Sequence, residues 1–310
     1  MARCLLFLAC LGCAMLAAEP ARAAPELNGF SLDHAKIPVS EILRGGPARD
    51  GIPALTDPKV LPAEDAPWSD GDRVIGVVRN GRARAYPIAI LNWHELVNDS
   101  LGGKPILVSF CPLCGTGMVF DRSVEDQVRS FGVSGLLYRS DLLLYDRETE
   151  SLWSQIAAEA VTGASSGRSL TLIRSRHETW GRWRARHPDT SVLSPETGHT
   201  RNYKRTPYGT YATSSELYFP VDLDRRYHPK TRTLGIRTAG GIERAYPSEE
   251  VIRAGGSVTE DLDGLRVSVT YHDAVDVFEV VAPRSAEIVE GYWFAWIAFH
   301  PNSTVFVAKK

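Results

Sequence analysis

Three blocks of this 310-residue chain occur twice, in the same order. "VIGVVRNGRARAYP" (Val74 to Pro87) reads against "TLGIRTAGGIERAYP" (Thr233 to Pro247). "LGGKPILVSF" (Leu101 to Phe110) reads without a gap against "LDGLRVSVTY" (Leu262 to Tyr271), and "WGRWRARHPDTSV" (Trp180 to Val192) against "WFAWIAFHPNSTV" (Trp293 to Val305). A repeated unit restricts the fold more than composition does, because the packing that buries one copy must also suit the other. The units run over residues 73–195 and 231–310, after an N-terminal extension (24–72) and around a connector or lid (196–230). Units this short rarely bury enough area alone. The expectation is therefore one compact domain of two pseudo-symmetric units sharing one core.

Each unit starts with a hairpin ending in Ala-Tyr-Pro, then a short helix or irregular segment, then an alternating strand. Ile106, Val108 and Phe110 share one strand face in the first copy, as Val267, Val269 and Tyr271 do in the second. The W-x-x-W-x-x-x-H-P block suits a short helix stopped by its proline, followed by a strand. The fold class is α+β and β-rich.

The repeat also works as an internal control. His187 and His300 occupy the same place in both copies and read as helix-end residues that pack or cap, and the paired tryptophans as core anchors. Three features belong to the first copy alone: "NWHEL" (Asn92 to Leu96), "CPLCGTG" (Cys111 to Gly117), and an insertion over 115–167. Specialised chemistry is expected there.

The N-terminus, "MARCLLFLACLGCAMLAAEPARA", has one early arginine, an apolar run too short to span a bilayer and an A-x-A site. It reads as a secretory signal peptide, residues 1–23, cut after Ala23. Cys4, Cys10 and Cys13 leave with it, and their context fits a lipidation site poorly. No other run is long enough for a membrane helix, so the mature chain is expected to be periplasmic or secreted. The near-neutral balance, net −2 for the whole chain, carries no basic stripe and argues against nucleic acid as a partner.

Cys111 and Cys114 are the cysteines that remain, and three readings are open. A structural disulfide is permitted in an oxidising compartment, but closing about four residues is worth only about 2 kcal/mol in the chain-entropy account. Thiol–disulfide exchange with a partner protein is the second. Here Gly-Thr-Gly and "MVFD" follow the pair as turn and strand, with no helix to lower a thiol pKa. The third is a metal knuckle, in which Pro112 fixes the turn and Gly115 takes the left-handed conformation, aiming both thiolates at one ion. Two more ligands are then needed. His94 is unique to the first copy, and His272 aligns with Cys111 on the related strand. His34, His177, His199 and His228 read as structural. Thiolate with imidazole suits copper or zinc, and copper is favoured. Glu95, Gly132, Gly135, Ser140 and Asp141 are candidate walls of a pocket that the tyrosine-rich connector could cover. No covalent haem motif, nucleophile elbow, phosphate loop or H-E-x-x-H is present, and no catalytic residue is assigned.

"RAYPIAILNWHELVND", "SFCPLCGTGMVFDR", "FGVSGLLYRSDLLLYDRETESLWSQ" and the tryptophan blocks resemble an exported, mainly prokaryotic family catalogued as domain of unknown function 3179. The resemblance covers most of the mature chain and implies export, but no activity. The family more often has Asn where this chain has Arg139. Taken together, the sequence favours a copper-binding protein with a redox or oxygen-dependent role, of the kind a metal-dependent oxidoreductase would have. The alternatives are a dithiol exchange protein and a non-catalytic extracytoplasmic binding module with a structural disulfide. The partner is an unknown small molecule or a redox partner protein.

Overall fold

The computed structural model describes residues 25–309. The segment expected to be a signal peptide, with Cys4, Cys10 and Cys13, lies outside the described residues. What is described is β-rich, with four short helices among many strands.

In the first half, strands Arg73–Arg79 and Arg82–Pro87 form a hairpin closed at Asn80-Gly81. Ser175–Thr179 flanks it on one side, and Ser191–Leu193 runs parallel to Arg82–Pro87 on the other. In the second half Arg232–Arg237 pairs with Glu243–Pro247, flanked by Glu287–Tyr292 and by the parallel Thr304–Val305. Pro87 and Pro247 both stand just ahead of a helix, α1 (Ile88–His94) and α3 (Ser248–Arg253), where a missing N–H costs nothing. The tryptophan blocks form α2 (Trp180–Arg186) and α4 (Trp293–Phe299).

Each tryptophan helix lies over a glycine. A Cβ on Gly76 would sit 2.3 Å from the Trp183 ring, and one on Gly235 would sit 2.1 Å from Trp296. Trp183 and Trp296 each donate an indole N–H to a hydroxyl, Thr190 Oγ1 and Ser303 Oγ, both at 2.9 Å. His187 and His300 follow the helix ends and pack on these indoles, with ring centres 4.2 and 3.9 Å apart.

A second sheet in each half carries the alternating strand. Leu96–Leu101, Lys104–Cys111 and Thr116–Asp121 are antiparallel neighbours, as are Ser257–Leu262, Leu265–His272 and Val277–Val281. Ile106, Val108 and Phe110 enter one core cluster, while Leu107 and Cys111, on the opposite face, enter another. Val267, Val269 and Tyr271 lie together in a third. The cluster around the cysteines also takes Tyr292, Phe294 and Ala295 from the second half.

Residues of the N-terminal extension are stitched into the first half. Ile42–Arg44 pairs with Phe131–Tyr138, Leu55–Thr56 with Leu96–Leu101, and Val60–Pro62 with Ser191–Leu193. These short edge strands have no alternation long enough to announce them in the sequence.

Candidate metal centre

Cys111 ends one strand of a hairpin and pairs with Thr116, leaving Pro112 to Gly115 as the loop. Gly115 has φ +61°, the left-handed conformation expected of the knuckle, and its Cα lies against the Tyr292 ring. The second half fixes this loop through its backbone: Tyr292 N–H donates to Cys114 O at 2.8 Å and Arg232 Nη1 to Gly115 O at 3.3 Å. Both cysteines are free thiols and fully buried, and Cys114 Sγ donates to Ser140 O at 3.3 Å.

The third member of the site is Asp141. Strands Phe131–Tyr138 and Asp141–Asp146 join through Arg139 and Ser140, whose φ values are +51° and +66°. Two consecutive non-glycine residues in the left-handed region give the tight turn that keeps the strands in register, at a cost in backbone strain. The turn delivers Asp141 so that its carboxylate and both Sγ atoms lie within 4.8 Å of one another. Asp141 Oδ2 accepts the Ile156 N–H at 3.1 Å, while Oδ1 has no partner. The neighbouring Ser140 Oγ is also buried without a partner, as is Gln155 Oε1, one residue before Ile156.

Glu95 stands close enough to bear on the charge of the site. It follows α1 with φ +58° and ψ −38°, outside the regions a glutamate ordinarily adopts. At the same point after α3 the second half has Ala254, Gly255 and Gly256, where glycines absorb the positive φ. The Glu95 carboxylate is buried and accepts the Tyr208 hydroxyl at 3.1 Å.

The electrostatics follow from putting acidic groups in one dry place. Burial raises Asp141 to about 7 and Glu95 to about 7, Asp141 adding to the effect on Glu95. Burial also lifts both thiols above the ordinary range, Cys114 most strongly, and the neighbouring carboxylates push the same way. Each group resists ionisation because burial removes the water that would stabilise its charge and the neighbouring acidic groups oppose a second negative charge.

His94 and His272, expected as ligands, lie outside this group of three. The His94 ring is buried, its Nδ1 at 2.8 Å from Pro53 O and its Nε2 at 2.8 Å from Tyr203 OH. A carbonyl only accepts, so Nδ1 carries the proton and Nε2 accepts from the tyrosine. Both ring nitrogens are thereby engaged, and burial holds the imidazole down at about 4. His272 ends its strand as Cys111 does, but it lies beside Glu279 at 3.0 Å and Arg182 at 3.3 Å. The physical reason is packing: the second half meets the thiols with Tyr292, Phe294 and Ala295, not with the hairpin that carries His272.

Gly132 and Gly135 serve close packing rather than a pocket wall. A Cβ on Gly132 would meet the Tyr145 ring at 2.4 Å, and one on Gly135 would meet Pro47 O at 2.2 Å. Ser140, Asp141 and Glu95, by contrast, do stand at or beside the thiols. His177 is buried with Nε2 on Gly117 O at 3.1 Å, and burial with Arg232 and Arg73 holds it at about 3.

Sequence reasoning missed Tyr208 and Tyr211. Tyr211 is 2% exposed, packs in the same cluster as both cysteines, and has an unpartnered hydroxyl. Their only signal was the density of tyrosines in residues 196–230. No described helix is long and apolar enough to cross a membrane.

Comparison with curated proteins and with solved structures gives no match. A family model does match, over residues 49–288, and that span contains the hairpin of Cys111 and Cys114, the turn before Asp141 and the connector. The chain therefore belongs to the family described as "Protein of unknown function (DUF3179)".

Proposed function

We propose that this is an exported protein that holds one metal ion through Cys111 Sγ, Cys114 Sγ and the Asp141 carboxylate. The observation that carries this reading is the convergence of three fully buried ligand atoms within 4.8 Å, with Asp141 Oδ1 unpartnered. Burying thiols and a carboxylate together costs free energy that a bound cation returns, because it favours the ionised form of each. The matched sheets of the two halves read as a duplicated unit, with the ion site kept in the first.

The donor set bears on which metal. Copper was favoured on thiolate plus imidazole, but a carboxylate stands where imidazole was expected. Two sulfurs and a hard oxygen fit divalent zinc better than cuprous copper. Three protein ligands leave one position for water or a substrate, the pattern of zinc sites that polarise a bound group.

The test is metal content of the mature protein purified without chelator, followed by zinc and copper titration of the metal-free chain. One ion per chain, lost in Cys111→Ser and weakened at least about 100-fold in Asp141→Asn, supports the site. No ion on isolation and no uptake by the reduced chain would reject it.

A second reading rests on one observation: a buried carboxyl at about 7 beside two free thiols. In a metal-free chain Asp141 could take the proton from the attacking thiol of a dithiol exchange protein. Equilibration in glutathione buffers, read by thiol counting, separates the two: a metal site loses reactivity when zinc is added.

A further inference from the structure

Three consecutive residues at the end of α1 each hold the same distant segment. Trp93 Nε1 donates to Arg205 O at 3.0 Å, Tyr203 OH donates to His94 Nε2 at 2.8 Å, and Tyr208 OH donates to Glu95 Oε1 at 3.1 Å. The Arg201 guanidinium also lies over the Trp93 ring, 5.8 Å from its centre. The held segment runs on to Tyr211, which packs in the cluster with the thiols, and to Leu217, Phe219 and Val221 packed against that cluster. Further along, Lys230 Nζ, over the Tyr211 ring at 3.5 Å, donates to Ser214 O and Glu216 O at 2.6 Å each.

We infer that residues 196–230 form a gate over the cysteine pair, latched to the first half by Trp93, His94 and Glu95. The inference takes the ion site from the proposed function but needs only that the thiols are reached from outside. Cys111 and Cys114 are 1% and 0% exposed, so nothing reaches them unless some part of the structure moves. The connector is the part built to move. Among the described residues it carries one 3-10 turn, Tyr211–Thr213, and no strand, whereas the thiol hairpin lies inside a five-stranded sheet. Segments without a hydrogen-bonded ladder open at lower free energy than sheets do.

The latch accounts for features that a metal-ligand role left unexplained. His94 and Glu95 have no counterpart in the second copy, which meets the connector through other groups: the Trp293 indole N–H donates to Asp224 O and Glu250 accepts the Tyr227 hydroxyl. The Nδ1 bond from His94 to Pro53 O fixes the tautomer whose Nε2 accepts the Tyr203 hydroxyl. The strained backbone of Glu95 turns its carboxylate to Tyr208, where an ordinary helix end would not. These three are positioning residues: they hold the cover and touch no ion.

The experiment is alkylation of the metal-free, reduced mature chain by iodoacetamide, followed by mass. Tyr208→Phe removes one latch hydroxyl, and Tyr203→Phe removes the other together with its bond to Thr197 within the connector. Tyr246→Phe, which removes a hydroxyl bond to Glu260 within the second half and outside the connector, is the control. Labelling of both cysteines should quicken roughly fivefold in each latch variant and roughly thirtyfold in the double variant, with no change in the control. In the unmodified chain, amides of residues 196–230 should exchange with deuterium before those of residues 104–121. Unchanged labelling in folded latch variants, or equal acceleration in the control, would overturn the gate, as would simultaneous exchange of connector and hairpin. Zinc titration of the same samples keeps the two ideas apart. Binding without faster ion exchange in the variants fails the gate alone, and faster labelling without any binding fails the ion site alone.

Discussion

Replacing Asp141 by asparagine should stabilise the metal-free protein at neutral pH while abolishing its stabilisation by zinc. Asp141 has an ordinary value of 3.8 and is raised by burial to about 7 in the fold. A carboxyl raised on folding favours the folded state while it is protonated, so its contribution is complete below about pH 4. It is lost as pH climbs toward 7 and is constant above that. At 1.36 kcal/mol per unit, the loss is about 4 kcal/mol, an upper figure because Glu95 titrates in the same surroundings. Asparagine carries no charge to desolvate and keeps an oxygen for the Ile156 N–H. Metal-free Asp141→Asn should therefore match the wild type near pH 4 and exceed it by roughly 2–4 kcal/mol at pH 8. Urea unfolding at pH 4, 6 and 8 in chelator reads the gap, and the difference between proteins removes titrations they share. With zinc at about 1,000 times its dissociation constant, the wild type should gain about 4 kcal/mol and the variant little, inverting the order. A variant less stable than wild type by the same amount at every pH would refute the reasoning. Asp141 would then be an ordinary paired carboxylate.

His94→Ala and His272→Ala should leave zinc stoichiometry and affinity unchanged in titration calorimetry, since neither ring joins the cysteine group. Gly76→Ala and Gly235→Ala should each destabilise the fold by about 1–3 kcal/mol or more, because the added methyl meets a tryptophan ring. Chemical denaturation checks both, and equal losses would support equivalent packing in the two halves. His177 is held at about 3 against an ordinary 6.5, so its contribution is present above pH 6.5 and lost as pH falls toward 3. Acid should cost up to about 5 kcal/mol through this residue, and the imidazole should stay neutral by NMR at pH 5.

Local chemistry was legible where it sets a strand face or a turn. The alternation at Ile106, Val108 and Phe110 fixed the opposite face of the strand, and so the side on which Cys111 would lie. Pro112 and Gly115 announced the knuckle, and its left-handed glycine is there. The tryptophan blocks announced the helices, although the glycines beneath them gave no such signal. What the His94 ring would meet was not legible, for a reason that is equally physical. A histidine near a cysteine motif has the right chemistry for a ligand, but two hydrogen-bonding nitrogens can be engaged by any acceptor and donor the fold supplies.

The sequence alone determined the strand faces and the aim of the two thiols, because hairpin turns and period-two alternation act over a few residues. Only the tertiary structure decided what meets them. Asp141 reaches the cysteines through a separate sheet, Tyr208 and Tyr211 arrive from the connector, and His272 is carried away on a strand that ends as Cys111's does. A strand's pattern says which side is buried. It does not say which other buried side will face it, since that follows from how whole sheets and their edge segments fill one shared interior.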